Sequence, residues 1–151
     1  MRLTRQTNYA VRILMYCAAN DGRLSRIPEI AHAYGVSELF LFKILQPLVE
    51  AGLVETVRGR NGGVRLGRPA AGITLFDVVR VTEESFSMAE CFDSDTADCP
   101  LIDSCGLNAA LREALGAFFA VLEKHTIADI VRARGDVRSL LGIQLPVQPA
   151  A

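Results

Sequence analysis

Residues 53–69, LVETVRGRNGGVRLGRP, constrain the fold of this chain more than any other stretch. Leu53 to Val57 has the composition of a strand, and Val64 to Leu66 that of a return strand. Between them RGRNGG gathers residues that tolerate positive φ, which a tight hairpin needs. A two-stranded hairpin is marginal in water by itself. It must lie against a body, and the sequence before it supplies one.

Three helical patterns precede the hairpin. Thr4 or Thr7 caps the first, with Ala10, Ile13, Leu14, Cys17 and Ala18 as its apolar stripe and Gly22 as its stop. Pro28 suits the first turn of the second. Ile27, Ile30, Ala31 and Tyr34 line its inner face, and Gly35 closes it. Ser37 caps the third, with Leu41, Ile44, Leu45, Leu48 and Val49 directed inward and Gly52 at its end. Pro47 predicts a kink or tightened turn near residues 43–47. Helices joined by a short GVS corner, followed by a basic hairpin, make a winged helix-turn-helix. The fold class expected is mainly α with a small β-hairpin wing.

Charge points to the same half of the chain. Residues 1–68 hold ten Lys or Arg against five Asp or Glu, and residues 69–151 hold six against twelve. A basic half beside an acidic one suggests a polyanion partner. In a helix-turn-helix the second helix enters the major groove N-terminus first, which here presents Ser37, Glu38, Phe40 and Lys43. Glu accepts from cytosine, Lys donates to guanine or phosphate, and Phe touches a thymine methyl. Around the turn, Arg58, Arg60, Arg65 and Arg68 surround Asn61, Gly62 and Gly63. A glycine tip allows close approach to phosphate, and an arginine beside it can enter a minor groove. The sequence GK followed by Ser or Thr, which a nucleotide phosphate loop needs, is absent here. Arg2, with Arg5 and Gln6, can hold a phosphate at the start of the first helix. No catalytic acid–base pair or nucleophile constellation is evident, so an enzyme is not expected.

The chain divides after the hairpin. Residues 1–68 form the expected DNA-binding domain, 69–106 a linking helix capped by Thr74 and a cysteine loop, and 107–151 a long helix and C-terminal region. Leu107, Leu111, Leu115, Phe118 and Leu122 recur at helical spacing. That stripe is expected to form a homodimer interface, against the alternative of packing on the chain's own core. The Pro/Ala-containing end is expected to be disordered. The basic, then apolar, start resembles a signal peptide, but Arg12 interrupts it; an amphipathic helix, a cytoplasmic protein and no membrane partner are expected.

Three of the four cysteines lie in CFDSDTADCPLIDSC. Cys91, Cys99 and Cys105 are separated by seven and then five residues, among Asp93, Asp95, Asp98 and Asp103. A reducing compartment disfavours a structural disulfide. Zinc ligands usually pair at closer spacing, although an Asp could complete a tetrahedron. A redox thiol wants positive charge nearby, which this stretch lacks. An iron–sulfur cluster fits better, because each iron takes its own thiolate and the ligands must spread around a bulky core. Cys17, on an apolar helix face, reads as a small core residue, and His32 and His125 as ordinary residues.

Together MRLTRQTNYAVRIL, IPEIAHAYGVSELFLFKIL, LVEAGLVETVRGRNGGVRL and the cysteine loop resemble the Rrf-type winged-helix regulators. The spacing and the run through the wing are most similar to that family's rhizobial iron-regulator branch. The resemblance runs from Met1 to about Leu141. It implies a homodimeric repressor on double-stranded operator DNA, carrying a 4Fe-4S cluster on Cys91, Cys99 and Cys105, with a 2Fe-2S form on degradation. In that branch iron limitation removes the cluster and relieves repression. The fourth ligand departs from the family's patterns. Where some members carry a His after the last cysteine this chain has Asn108, and where others use an Asp near the N-terminus it has Asn8. Two other readings stay open: a nitric-oxide or redox sensor on the same scaffold, and a zinc-stabilised winged-helix protein.

Overall fold

The computed structural model describes residues 2–20, 23–92, 99–101, 104–133 and 135–144. Gly22, the four aspartates of the cysteine loop and the C-terminal tail lie outside them. The elements run α1 (Arg5–Ala19), α2 (Ile27–Tyr34), α3 (Glu38–Glu50), β1 (Val54–Val57), β2 (Gly63–Leu66), α4 (Leu75–Thr82), α5 (Gly106–Lys124), α6 (Ile127–Arg132) and α7 (Val137–Leu140). Short 3₁₀ turns occupy Ala70–Gly72 and Glu90–Phe92. This is a mainly helical chain with one hairpin, a winged helix-turn-helix.

Local signals set the helix ends. The Thr4 hydroxyl accepts from the Thr7 N–H at 3.2 Å and the Ser37 hydroxyl from the Phe40 N–H at 3.2 Å. Gly35 ends α2 in the left-handed region at φ +62°, where a side chain would be strained. α3 continues as helix across Pro47. The ring removes one amide donor, and the carbonyl one turn back belongs to exposed Lys43.

β1 and β2 pair antiparallel, with Glu55 opposite Arg65 and Thr56 opposite Val64. The hairpin is pinned to the body through Val64, whose N–H and carbonyl both bond Ser25 at 2.8 Å. Buried Leu14, Ile30, Leu41, Ile44, Leu48, Leu53 and Val64 fill the space between helices and wing.

The core does not end at the wing. Ile73, Val78 and Ile127 are fully buried in the same cluster as α1 and α3. Reciprocal bonds of 2.8 Å, Leu75 N–H to the His125 carbonyl and Ile127 N–H to the Ile73 carbonyl, tie the starts of α4 and α6 together. α5 behaves differently: none of its 19 residues is buried. Its anchor is Phe119, which packs edge-on against Phe76 and Phe86 at centroid distances of 5.1 and 4.8 Å. Among the described residues, no helix is long and apolar enough to cross a membrane.

One inward expectation is overturned. Val49 is 38 % exposed and faces the cleft beside the wing, while Leu41, Ile44, Leu45 and Leu48 are buried. Val49 follows Leu48 by one residue, so the helical rotation of about 100° carries it past the edge of the apolar stripe.

Candidate nucleic-acid interface and cysteine site

α3, along its length, and the hairpin enclose an open cleft of about 690 Å³, lined in part by Glu38, Phe42, Gln46, Val49, Arg58 and Arg60. Ser37, Glu38 and Lys43 are exposed beside it. Phe40 is a correction. Its ring packs edge-on against Tyr9 at 5.2 Å, with the Arg5 guanidinium 4.8 Å from the centroid, so it is held against α1. Besides Val49, the apolar side chains of α3 that face outward are Leu39, 69 % exposed, and Phe42, 54 % exposed. Helical rotation carried the signal: with Leu41, Ile44 and Leu45 inside, residue 42 falls on the open face.

The wing arginines separate into two kinds. Arg65 is paired with Glu55, directly opposite on β1, at 2.9 Å. Arg68 is paired with Asp77 at 2.8 Å, and the same carboxylate accepts from the Thr74 N–H at 3.0 Å in the α4 capping box. Arg58 and Arg60 are exposed at the turn, with no acid partner among the described residues. Arg26, at the start of α2, also lines the cleft; its distance in sequence from the hairpin hid it. Asn61, next after Arg60, is exposed as well. The neighbouring glycines are there for space: a Cβ on Gly62 would stand 2.2 Å from the Val57 carbonyl oxygen, and one on Gly63 2.6 Å from that of Ser25. Arg2 is exposed beside Arg5 at the start of α1.

The cysteine site is built by the turn before α5 and by α5 itself. Cys91 lies in the 3₁₀ turn, and Cys105 is the N-cap of α5, where the positive end of the helix dipole faces its sulfur. Both thiols converge on Asn108. The Asn108 backbone N–H donates to Cys105 Sγ at 3.5 Å, and its Nδ2 donates to Cys91 Sγ at 3.0 Å. Its Oδ1 accepts from Arg112 Nε at 2.7 Å, and the Arg112 guanidinium stacks 4.8 Å from the Phe92 centroid. Cys99 is exposed in the loop and has no such bond among the described residues, and all of these cysteines are free thiols. Among the described residues no three candidate ligands are close enough to hold a single metal ion. Asn8 is exposed on α1, near Leu3 and Arg12. Cys17 is buried, and removal from water pushes its thiol up to about 12.

A family model described as Rrf2, iron-dependent transcriptional regulator, matches residues 3–133. The chain belongs to the Rrf2 family. It is 74 % identical over 149 residues to a Rhizobium meliloti protein called aau3, covering 99 % of this chain and 97 % of that one. It is 44 % identical over 142 residues to the HTH-type transcriptional regulator NsrR of Bacillus subtilis, covering 93 % and 97 %. Solved Rrf2 folds superpose on it. The structure of CymR, the global cysteine regulator of B. subtilis, matches with TM-score 0.71 and 27 % identity over 89 % of this chain and 99 % of that one. T. potens IscR matches in fold with TM-score 0.73 over 91 % of each chain, at 24 % identity. This Rrf2 chain is a transcriptional regulator and not an enzyme, and its cleft between α3 and the wing is that of a DNA-binding winged helix.

Proposed function

We propose that the protein is an iron-responsive repressor. It binds operator DNA as a homodimer in the cytoplasm when an iron–sulfur cluster is held by Cys91, Cys99 and Cys105, and it lets go when low iron removes that cluster. The observation that carries the reading is the convergence of two free thiols, Cys91 and Cys105, on one residue at the start of α5, with Cys99 in the loop between them. Two gathered thiolates with a third on a connecting segment suit a bulky cluster better than one zinc ion. A bound 4Fe-4S cluster would supply an anionic, iron-dependent crosslink between the turn and the loop. The 74 % identity to a rhizobial protein agrees with the rhizobial iron-regulator resemblance, that of RirA.

The cysteine segment is anchored at both ends, which supports a coupling. It leaves α4 at Glu83, whose carboxylate accepts from the Thr4 N–H at 2.7 Å and the Thr7 hydroxyl at 2.5 Å, at the start of α1. It ends at Cys105, the cap of α5. Closing the three cysteines on one cluster therefore restrains residues 1–68 relative to α5. The face of α5 bearing Leu107, Leu111, Leu115, Phe118 and Leu122 is the proposed dimer contact, and Leu107 is 65 % exposed in the protomer. A restrained pair of heads matches half-sites at fixed separation, and a loosened pair does not.

The test is anaerobic purification with iron, sulfide and zinc analysis, followed by chelator titration while binding to an operator selected in vitro by the loaded protein is followed. Near-equal iron and sulfide, with specific affinity falling as iron leaves, supports the reading. Colourless protein with stoichiometric zinc and unchanged DNA binding overturns it in favour of a zinc-stabilised regulator.

A further inference from the structure

Asn108 occupies the position where a fourth ligand would be sought, yet its hydrogen bonds assign it another task. Arg112 Nε can only donate, so the oxygen of the Asn108 side chain must face it. That choice fixes the amide orientation and leaves Nδ2 directed at Cys91 Sγ. We propose that Asn108 is a positioning residue for Cys91 rather than a ligand, and that Arg112 holds it in that orientation. The inference rests on the cluster reading above, but the relay itself is a property of the metal-free chain.

The geometry gives the relay its stiffness. Asn108 and Arg112 are one turn apart on α5, so their side chains rise on the same face. Arg112 is itself steadied on the Phe92 ring at 4.8 Å, and Phe92 follows Cys91 in the 3₁₀ turn. The turn is thus gripped twice by α5, once through the sulfur and once through the neighbouring ring. The Asn108 oxygen is engaged by a cation, which makes it a poor donor to iron. An amide hydrogen bond to a cluster thiolate lowers electron density on sulfur and raises the reduction potential. Outer-shell partners of this kind commonly change metal affinity by roughly ten- to hundredfold.

Five proteins decide the matter: wild type, Asn108→Ala, Arg112→Ala, Arg112→Lys and the Asn108→Ala/Arg112→Ala double variant. In the metal-free state, proton exchange of the Asn108 side-chain amide is followed by ¹⁵N NMR. It is expected to be protected in wild type, to fall to that of a solvated amide in Arg112→Ala, and to be partly restored in Arg112→Lys. After reconstitution with ferrous iron and sulfide, the rate of iron loss to EDTA and the midpoint potential are measured. Both alanine variants are expected to lose iron roughly tenfold faster, at a lower potential, and the double variant no faster than either single one. Thermal melting of the metal-free proteins identifies any variant that is merely unfolded, and the lysine variant then carries the comparison. Wild-type protection and iron-loss rate in Arg112→Ala overturn the relay. A potential and spectrum that change in Asn108→Ala as for loss of an iron ligand overturn the positioning role. Should wild type take up no iron and sulfide, the function proposed above fails, while the amide exchange still judges the relay.

Discussion

The backbone N–H of Thr4 donates to Glu83 Oε1 at 2.7 Å, joining residues 79 positions apart. The same carboxylate takes the Thr7 hydroxyl, which lies 2.8 Å from that of Thr82. Thr7 is 1 % and Thr82 9 % exposed, so their hydroxyls lie out of water between the first turn of α1 and the last of α4, while the Thr4–Glu83 bond is at the surface. It fixes where the chain departs toward its cysteines.

Removing the carboxylate takes a charged acceptor from both donors, although the Thr7 hydroxyl keeps those of Thr4 and Thr82 as partners. Glu83→Ala is expected to destabilise the protein by about 1.5–3 kcal/mol, the usual worth of hydrogen bonds to a charged group, and Glu83→Gln by less, because one acceptor oxygen remains. Urea unfolding measures both. Equal, negligible shifts would mean that water replaces the carboxylate without loss.

The wing tip has no room for a side chain at Gly62. Gly62→Ala drives a Cβ to 2.2 Å from the Val57 carbonyl oxygen, which is backbone and cannot swing away. A cost of about 1–3 kcal/mol is expected, with weakened DNA binding from a displaced turn. Gly72→Ala, where a Cβ meets open space, is the matched control. Identical melting temperatures for the two variants would contradict the steric account.

Free and paired arginines should differ in the salt dependence of DNA binding. Arg58→Ala and Arg60→Ala are each expected to reduce the slope of log K against log salt by about 1, as loss of one phosphate contact does. Arg65→Ala is expected to change it less, since its guanidinium is already held by Glu55 at 2.9 Å. A larger change for Arg65 would place the groove contact on the strand and not at the turn.

Burial of Cys17 predicts an alkaline weakness. Its thiol is raised from 9.0 to about 12, chiefly by desolvation, so the folded state keeps a proton that the unfolded state releases. The stabilisation is fully present below pH 9 and is lost as pH rises toward about 12. Tyr34, raised from 10.0 to about 12 by burial, adds to the loss from pH 10 upward. Urea midpoints should therefore fall between pH 8.5 and 10.5, and less steeply in Cys17→Ala. In the folded protein at pH 8, iodoacetamide should label the loop thiols and spare Cys17. Rapid labelling of Cys17 would show that helix α1 opens.

The sequence by itself determined the local structure and the fold class. Thr4, Ser37 and Thr74 stand where caps form, Gly35 and Gly52 where helices must turn left-handed, and RGRNGG where a hairpin reverses. These follow from backbone sterics and neighbours a few residues away, which a linear pattern records. The tertiary structure decided which side chains are free to act. Arg65 and Arg68 look like Arg58 and Arg60 until Glu55 and Asp77 are brought against them. Phe40 and Phe42 look alike until Tyr9 takes one of them. Asn108 seems a failed ligand until Cys91, 17 residues away, and Arg112 meet on it. Charge, burial and hydrogen-bond direction depend on partners distant in the chain, and only folding chooses those partners.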